Sequence, residues 1–119
     1  MEYDGRRALD RIMLEHMAHA GSENGALIVT HDQFQLAGIS PNLVRPALEE
    51  LKFLGLIRYE RGGRWAGKNT PSRYRLTWLG DRFDSPPTNE WKRVSMDQAE
   101  AWSQQRKKHR KALREAAKN

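Results

Sequence analysis

Between Gly38 and Gly55 the chain spells out a helix with its start and stop signals in place. Ser40 is a capping residue type, and Pro41 suits the first helical position, where a missing amide costs nothing. Val44, Ala47, Leu48, Leu51 and Leu54 then recur at the three-and-four spacing that lines one side of a helix, until Gly55 ends it. Just upstream, Thr30 and Gln33 form a capping box that opens a brief helix with Phe34 and Ala37 inward. Gly38 stops that helix where a left-handed residue is wanted, and Ile39 plugs the turn. Two helices joined by so short a turn constrain everything around them.

The flanking segments supply the rest of one small domain. Residues 6–20 carry Leu9, Ile12, Met13, His16 or Met17, and Ala20 at helical spacing, and residues 21–25 (Gly-Ser-Glu-Asn-Gly) read as a loop. Residues 26–29 form a short apolar strand. Residues 56–61 and 72–79 alternate apolar and polar, with Ile57, Tyr59, Tyr74, Leu76 and Trp78 on one side and Arg58, Arg73 and Arg75 on the other. The connection 62–71 is rich in Gly and basic residues, so the pair is predicted to be a hairpin with a long tip. Residues 84–94 read as a linker. Ser95 and Gln98 make a second capping box, opening a basic C-terminal helix or tail over 95–119 through Ala99, Trp102, Leu113 and Ala116. Its middle, residues 104–111, holds no apolar side chain, so it is expected either to project from the domain or to order on binding.

Charge narrows the partner. The 119 residues carry a formal net charge of +6, which favours a polyanion, nucleic acid first and an anionic membrane surface second. The excess is concentrated. Residues 1–39 are acidic on balance, whereas 56–79 hold six Lys or Arg against Glu60 alone, and the segment from Glu90 onward is basic again. Cysteine is absent, which removes disulfides and thiolate metal sites and suits a reducing cytoplasm. No stretch approaches the roughly 20 apolar residues of a membrane span, and the charged first residues do not resemble a secretory signal, so a cytoplasmic location is expected.

Helix, short strand, short helix, tight turn, longer helix and basic hairpin is the order of a winged helix-turn-helix. The predicted fold class is therefore α+β, mainly helical: a three-helix core with a β-hairpin wing over residues 1–83, followed by the linker and the basic helix. A helix about 10–12 Å across fits the roughly 12 Å major groove of DNA, and a hairpin beside it reaches the backbone or minor groove. The sequence Gly38-Ile39-Ser40-Pro41-Asn42-Leu43-Val44-Arg45-Pro46-Ala47-Leu48-Glu49-Glu50-Leu51, closing with Gly55-Leu56-Ile57, resembles the helix-turn-helix of GntR-type bacterial regulators. Tyr74-Arg75-Leu76-Thr77 followed by Gly80 resembles the second wing strand of MarR and PadR regulators. The resemblance covers about half of the chain. It implies a DNA-binding fold, often a homodimer, acting on transcription. Two departures stand out: Pro46 falls inside the reading helix, where it is expected to kink it, and the hairpin tip is longer than in GntR proteins.

With the apolar stripe inward, the opposite face presents Ser40, Asn42, Leu43, Arg45 and Glu49. Arg45 suits guanine, Asn42 adenine and Leu43 a thymine methyl. The alternative for Arg45 is an ion pair with Glu49 one turn on, and for Asn42 a role in starting the helix. Arg64 and Lys68 in the tip are candidate phosphate or minor-groove contacts, with Arg73 reinforcing the field; a solvated loop and strand face is the alternative. Trp65 is expected to pack under the wing or touch sugar. In the tail, Arg106, Lys107 and Arg110 either lie on phosphates or simply solubilise the end.

Competing chemistries fall away. Residues 62–69 approach a phosphate-binding loop, but Asn69 stands where Ser or Thr is needed and a strand rather than a helix follows. His16 and His19 have a metal-compatible spacing without an apparent third ligand. No nucleophile, base and acid set is visible, so neither enzyme activity, cofactor nor small-molecule ligand is expected. Sequence-specific binding of double-stranded DNA by a bacterial or phage regulator is the leading expectation. A replication or excision accessory factor of a mobile element on the same fold is the second. A protein-interaction module with an RNA-binding tail is the third.

Overall fold

The computed structural model describes residues 2–65, 68–69, 71–83 and 85–117. The chain is α+β. In order it forms α1 (Tyr3–Ala18), β1 (Leu27–Ile28), α2 (His31–Leu36), α3 (Val44–Phe53), β2 (Ile57–Glu60), β3 (Arg64–Trp65), β4 (Lys68–Asn69), β5 (Arg73–Leu76) and α4 (Met96–Ala117), with 3-10 turns at Pro41–Leu43 and Glu90–Arg93.

Local signals fix the helix ends. Thr30 accepts from the Gln33 amide at 3.2 Å and the Gln33 side chain accepts from the Thr30 amide at 3.0 Å, closing the capping box on α2. Ser95 and Gln98 do the same ahead of α4, at 3.1 and 2.9 Å. Gly38 adopts φ +101°, and a Cβ there would stand 2.9 Å from the Arg7 guanidinium, which donates to the Gly38 carbonyl at 2.6 Å. The left-handed turn calls for glycine here, and the Arg7 guanidinium braces it from α1.

Pro46 lies at the start of α3 rather than in its interior. Pro41–Leu43 forms a separate 3-10 turn, Leu43 takes the N-cap position and α3 begins only at Val44, so Pro46 is the third residue of the helix. Amides of the first turn have no intrahelical acceptor, so the proline removes nothing there.

The core is one cluster. Ala8 and Ile12 of α1, Phe34 of α2, Ile39 of the turn, and Val44, Ala47, Leu48 and Leu51 of α3 meet Leu27, Ile57, Tyr74 and Leu76 of the sheet and Val29 just after β1. β1, β5 and β2 form an antiparallel sheet in that spatial order, with Ile57 opposite Leu76 and Tyr59 opposite Tyr74. Phe34 meets the Tyr74 ring edge-on at 5.8 Å. Beyond Glu60 and before Arg73 the hairpin continues into the separate pair β3–β4, with Arg64 opposite Asn69 and Trp65 opposite Lys68.

The loop before β1 is held by a buried amide. Asn24 accepts from the Leu76 amide at 2.7 Å and donates to the carbonyls of Leu76 and Gly80, both at 3.0 Å. On the other side of the sheet, Thr77 is buried and donates to the Gly55 carbonyl at 2.6 Å.

Residues 85–94, expected as a linker, run along the outer face of the sheet. Arg75 donates to the Pro86 carbonyl at 2.7 Å and pairs with Asp81, Arg58 pairs with Glu90, and the Asn89 amide donates to the Thr77 carbonyl at 2.9 Å. Gly55 (φ +73°) seats this segment: a Cβ there would stand 2.5–2.7 Å from backbone atoms of Glu90 and Trp91. Helix α4 then meets the last turn of α3, where the Trp102 and Phe53 rings stack at 4.4 Å and 9°. Ser103 adds a bond to Glu2 at 3.3 Å. Among the described residues no helix is long and apolar enough to cross a membrane.

Candidate nucleic-acid interface

The inward stripe of α3 decides what faces out. With Val44, Ala47, Leu48, Glu50 and Leu51 buried, the 100° step per residue brings Arg45, Glu49 and Lys52 to the opposite side. Arg45 and Lys52 are exposed and Glu49 is half-exposed. Ser40 and Asn42, in the 3-10 turn that leads into the helix, are exposed too. The Ser40 hydroxyl makes no capping bond. Among the described residues the side chains of Ser40, Asn42 and Arg45 make no hydrogen bond or ion pair. Their polar groups are therefore available to a partner.

Two members of the expected set are partly committed. Leu43 packs against the core as well as bordering the surface. The Glu49 carboxylate accepts from the Tyr59 hydroxyl of β2 at 2.6 Å rather than pairing with Arg45. Burial, followed by that bond and the charge of Glu49, pushes the Tyr59 hydroxyl up to about 12, so it remains a proton donor at neutral pH. The Lys52 ammonium lies 5.6 Å from the Tyr59 ring centroid.

The arginines of the β2–β5 hairpin divide into two groups. Arg58 and Arg75 face each other across β2 and β5, a like-charge pairing that would cost stability on its own. Each is answered by an acid, Glu90 and Asp81 respectively, and the Arg75 side chain retains only 13% exposure. Asp81 is held below the usual carboxylate range chiefly by the Ser85 amide, with help from the Phe83 amide and Arg75. These two cations fasten Asp81, Pro86 and Glu90 to the sheet. Arg73, opposite Glu60, stays exposed. The backbones of Arg64 and Lys68 lie in the tip strands and that of Arg110 in α4; their side chains fall outside the described residues.

In α4 the guanidinium of Arg106 sits 4.6 Å from the Trp102 ring centroid, while Phe53 stacks on the same ring. Parallel stacking at 4.4 Å fills one face of the indole, so Arg106 covers the other. Lys107, Lys108 and Lys111 are exposed. The helix is thus anchored on α3 by Trp102 in its second turn, and its lysines follow beyond that point.

Sequence reasoning left out two residues of this surface. Lys52 lies two turns after Arg45 on the same side, a signal the periodicity contains. Tyr59 was assigned to the inner face of its strand, and its bond to Glu49 depends on how β2 sits against α3. Around His16 and His19, among the described residues, no group of three potential metal ligands converges, and His19 lies 3.2 Å from Glu15.

No family model, curated protein or solved structure matches the chain.

Proposed function

We propose that the chain is a winged helix-turn-helix protein that binds double-stranded DNA with sequence preference and acts as a bacterial or phage transcriptional regulator. Residues 40–49 enter the major groove, the 62–71 tip lies on the adjacent backbone or minor groove, and the lysines of α4 add sequence-blind contacts to phosphates. The observation that carries this reading is the approach to and start of α3: Arg45, opposite the buried side of the helix, and Ser40 and Asn42, just ahead of it, are exposed and make no side-chain bond among the described residues. The strand order β1-β5-β2, with the β2–β5 hairpin extended beyond the body, supports it. The protein works in the cytoplasm as a homodimer, each copy reading one half-site. Leu14 and Met17, exposed on the outer side of α1, are available for the contact between copies.

The test is selection of bound duplexes from a random pool, followed by titration against salt. Wild-type protein is expected to enrich one sequence, and its affinity to fall steeply as salt rises. Arg45→Glu, at an exposed position, leaves the fold intact and lowers preference for the selected site by about 5- to 150-fold, the range for one bidentate base contact. Undiminished preference in that variant overturns the groove assignment, and absence of duplex binding at low salt overturns the function.

A further inference from the structure

Among the cations at the outward face of α3, the residue closest to its centre is an acid. Helical steps place Glu49 roughly opposite the buried stripe, with Arg45 one turn before it and Lys52 one turn after. An unpartnered carboxylate on a DNA-facing helix is repelled by phosphates, so its retention there calls for a reason.

Tyr59 constrains that side chain. Its hydroxyl reaches Glu49 Oε1 from β2 at 2.6 Å, and its ring is packed against Tyr74 at 5.7 Å, so the donor is itself fixed. Among the described residues the second oxygen, Oε2, makes no hydrogen bond. Glu49 takes part in none of the ion pairs of the described residues. One oxygen is therefore anchored and the other remains an acceptor on the exposed face.

In the major groove, a carboxylate accepts from the N4 amino group of cytosine. Guanine offers N7 and O6 and thymine offers O4, all acceptors, which repel it. Adenine places an acceptor beside its amino group. We infer that Glu49 is a specificity residue that selects cytosine, and that Tyr59 is the positioning residue that holds it in the reading orientation. The inference rests on the DNA-binding reading above. The four residues from Arg45 to Glu49 advance about 6 Å and a base pair about 3.4 Å, so the cytosine falls within two base pairs of the guanine read by Arg45.

Selection from a random duplex pool with wild type, Glu49→Gln and Tyr59→Phe tests it. Tyr59→Phe removes the hydroxyl and leaves the ring, and thermal melting together with affinity for a non-cognate duplex verifies that both variants remain folded. Wild type is expected to prefer cytosine about tenfold at one position within two base pairs of a preferred guanine. Glu49→Gln reduces that preference below about threefold, and Tyr59→Phe reduces it part of the way. The guanine preference is expected to persist in both variants, a pattern that a merely structural loss would not produce. A wild-type site in which no base pair other than that of the preferred guanine shows a cytosine preference within two base pairs, or a cytosine preference unchanged in either variant, overturns this inference and leaves the DNA reading standing. Wild type that selects no sequence overturns both.

Discussion

Removal of the Asn24 amide is a sharp test of how the sheet is held to the loop that precedes it. In Asn24→Ala the Leu76 amide loses its acceptor at 2.7 Å, and the carbonyls of Leu76 and Gly80 each lose a donor at 3.0 Å. Asn24 is only 1% exposed, so water does not readily replace it. A stranded buried amide costs about 1–3 kcal/mol, and a carbonyl with one lone pair still usable costs less, so the total is about 2–4 kcal/mol. At about 2.1 cal/mol/K per residue, unfolding a chain of 119 residues has an entropy near 250 cal/mol/K, or roughly 4 °C of Tm per kcal/mol. The expected fall is therefore about 8–16 °C by calorimetry or circular dichroism. Glu23→Ala next door is the control. Its ion pair with Arg82 is exposed at 44% and 36%, and its loss should move Tm by no more than about 3 °C. A fall below about 3 °C for Asn24→Ala would refute the reasoning, because the amide would then not be the fastener described.

Pro46→Ala is expected to change stability by less than about 1 kcal/mol, since a first-turn proline blocks no helical bond; a gain near 3 kcal/mol on thermal melting would mean that Pro46 sits in the helix interior after all. Gly55→Ala brings a Cβ within 2.5–2.7 Å of the Glu90–Trp91 backbone at a left-handed φ. It should lower stability by about 1–3 kcal/mol and speed proteolysis within residues 85–95, and wild-type cleavage rates would contradict the seating of that segment on Gly55. Tyr59 and Tyr74 are both pushed up to about 12, mainly by burial, so their neutral forms favour the folded state. Their contribution is full below the ordinary value of 10.0 and lost as pH climbs through 12. Chemical denaturation between pH 10 and 12 should show falling stability, with a flatter decline in Tyr74→Phe; an identical decline in that variant would sink the assignment.

What the residues reveal in advance depends on the range of the interaction. The Thr30–Gln33 and Ser95–Gln98 boxes and the Val44–Leu51 stripe are written within single turns, and their residue types announce them. Pro46 misleads because the 3-10 turn at Pro41–Leu43 delays the start of α3, an adjustment of backbone that periodicity does not encode. Asn24 looks like one more polar residue in a Gly-Ser-Glu-Asn-Gly loop, because the amide and carbonyls it serves lie more than fifty residues away. Arg58 and Arg75 do alternate outward as their strands imply. The segment that folds back to cover them carries no local mark. In the candidate interface, exposure of Arg45 follows from the helical repeat alone, whereas the bond between Glu49 and Tyr59 requires the packing of β2 against α3.

The stack of Trp102 on Phe53 has a mechanical consequence. From Trp102 to Ala117 the helix rises about 22 Å, roughly the length of six or seven base pairs of duplex. Anchored to α3 at one end, it behaves as a strut rather than a tether. Its lysines are carried at set heights above their pivot, so what they can touch is decided by the angle of one aromatic contact instead of by diffusion of a loose chain.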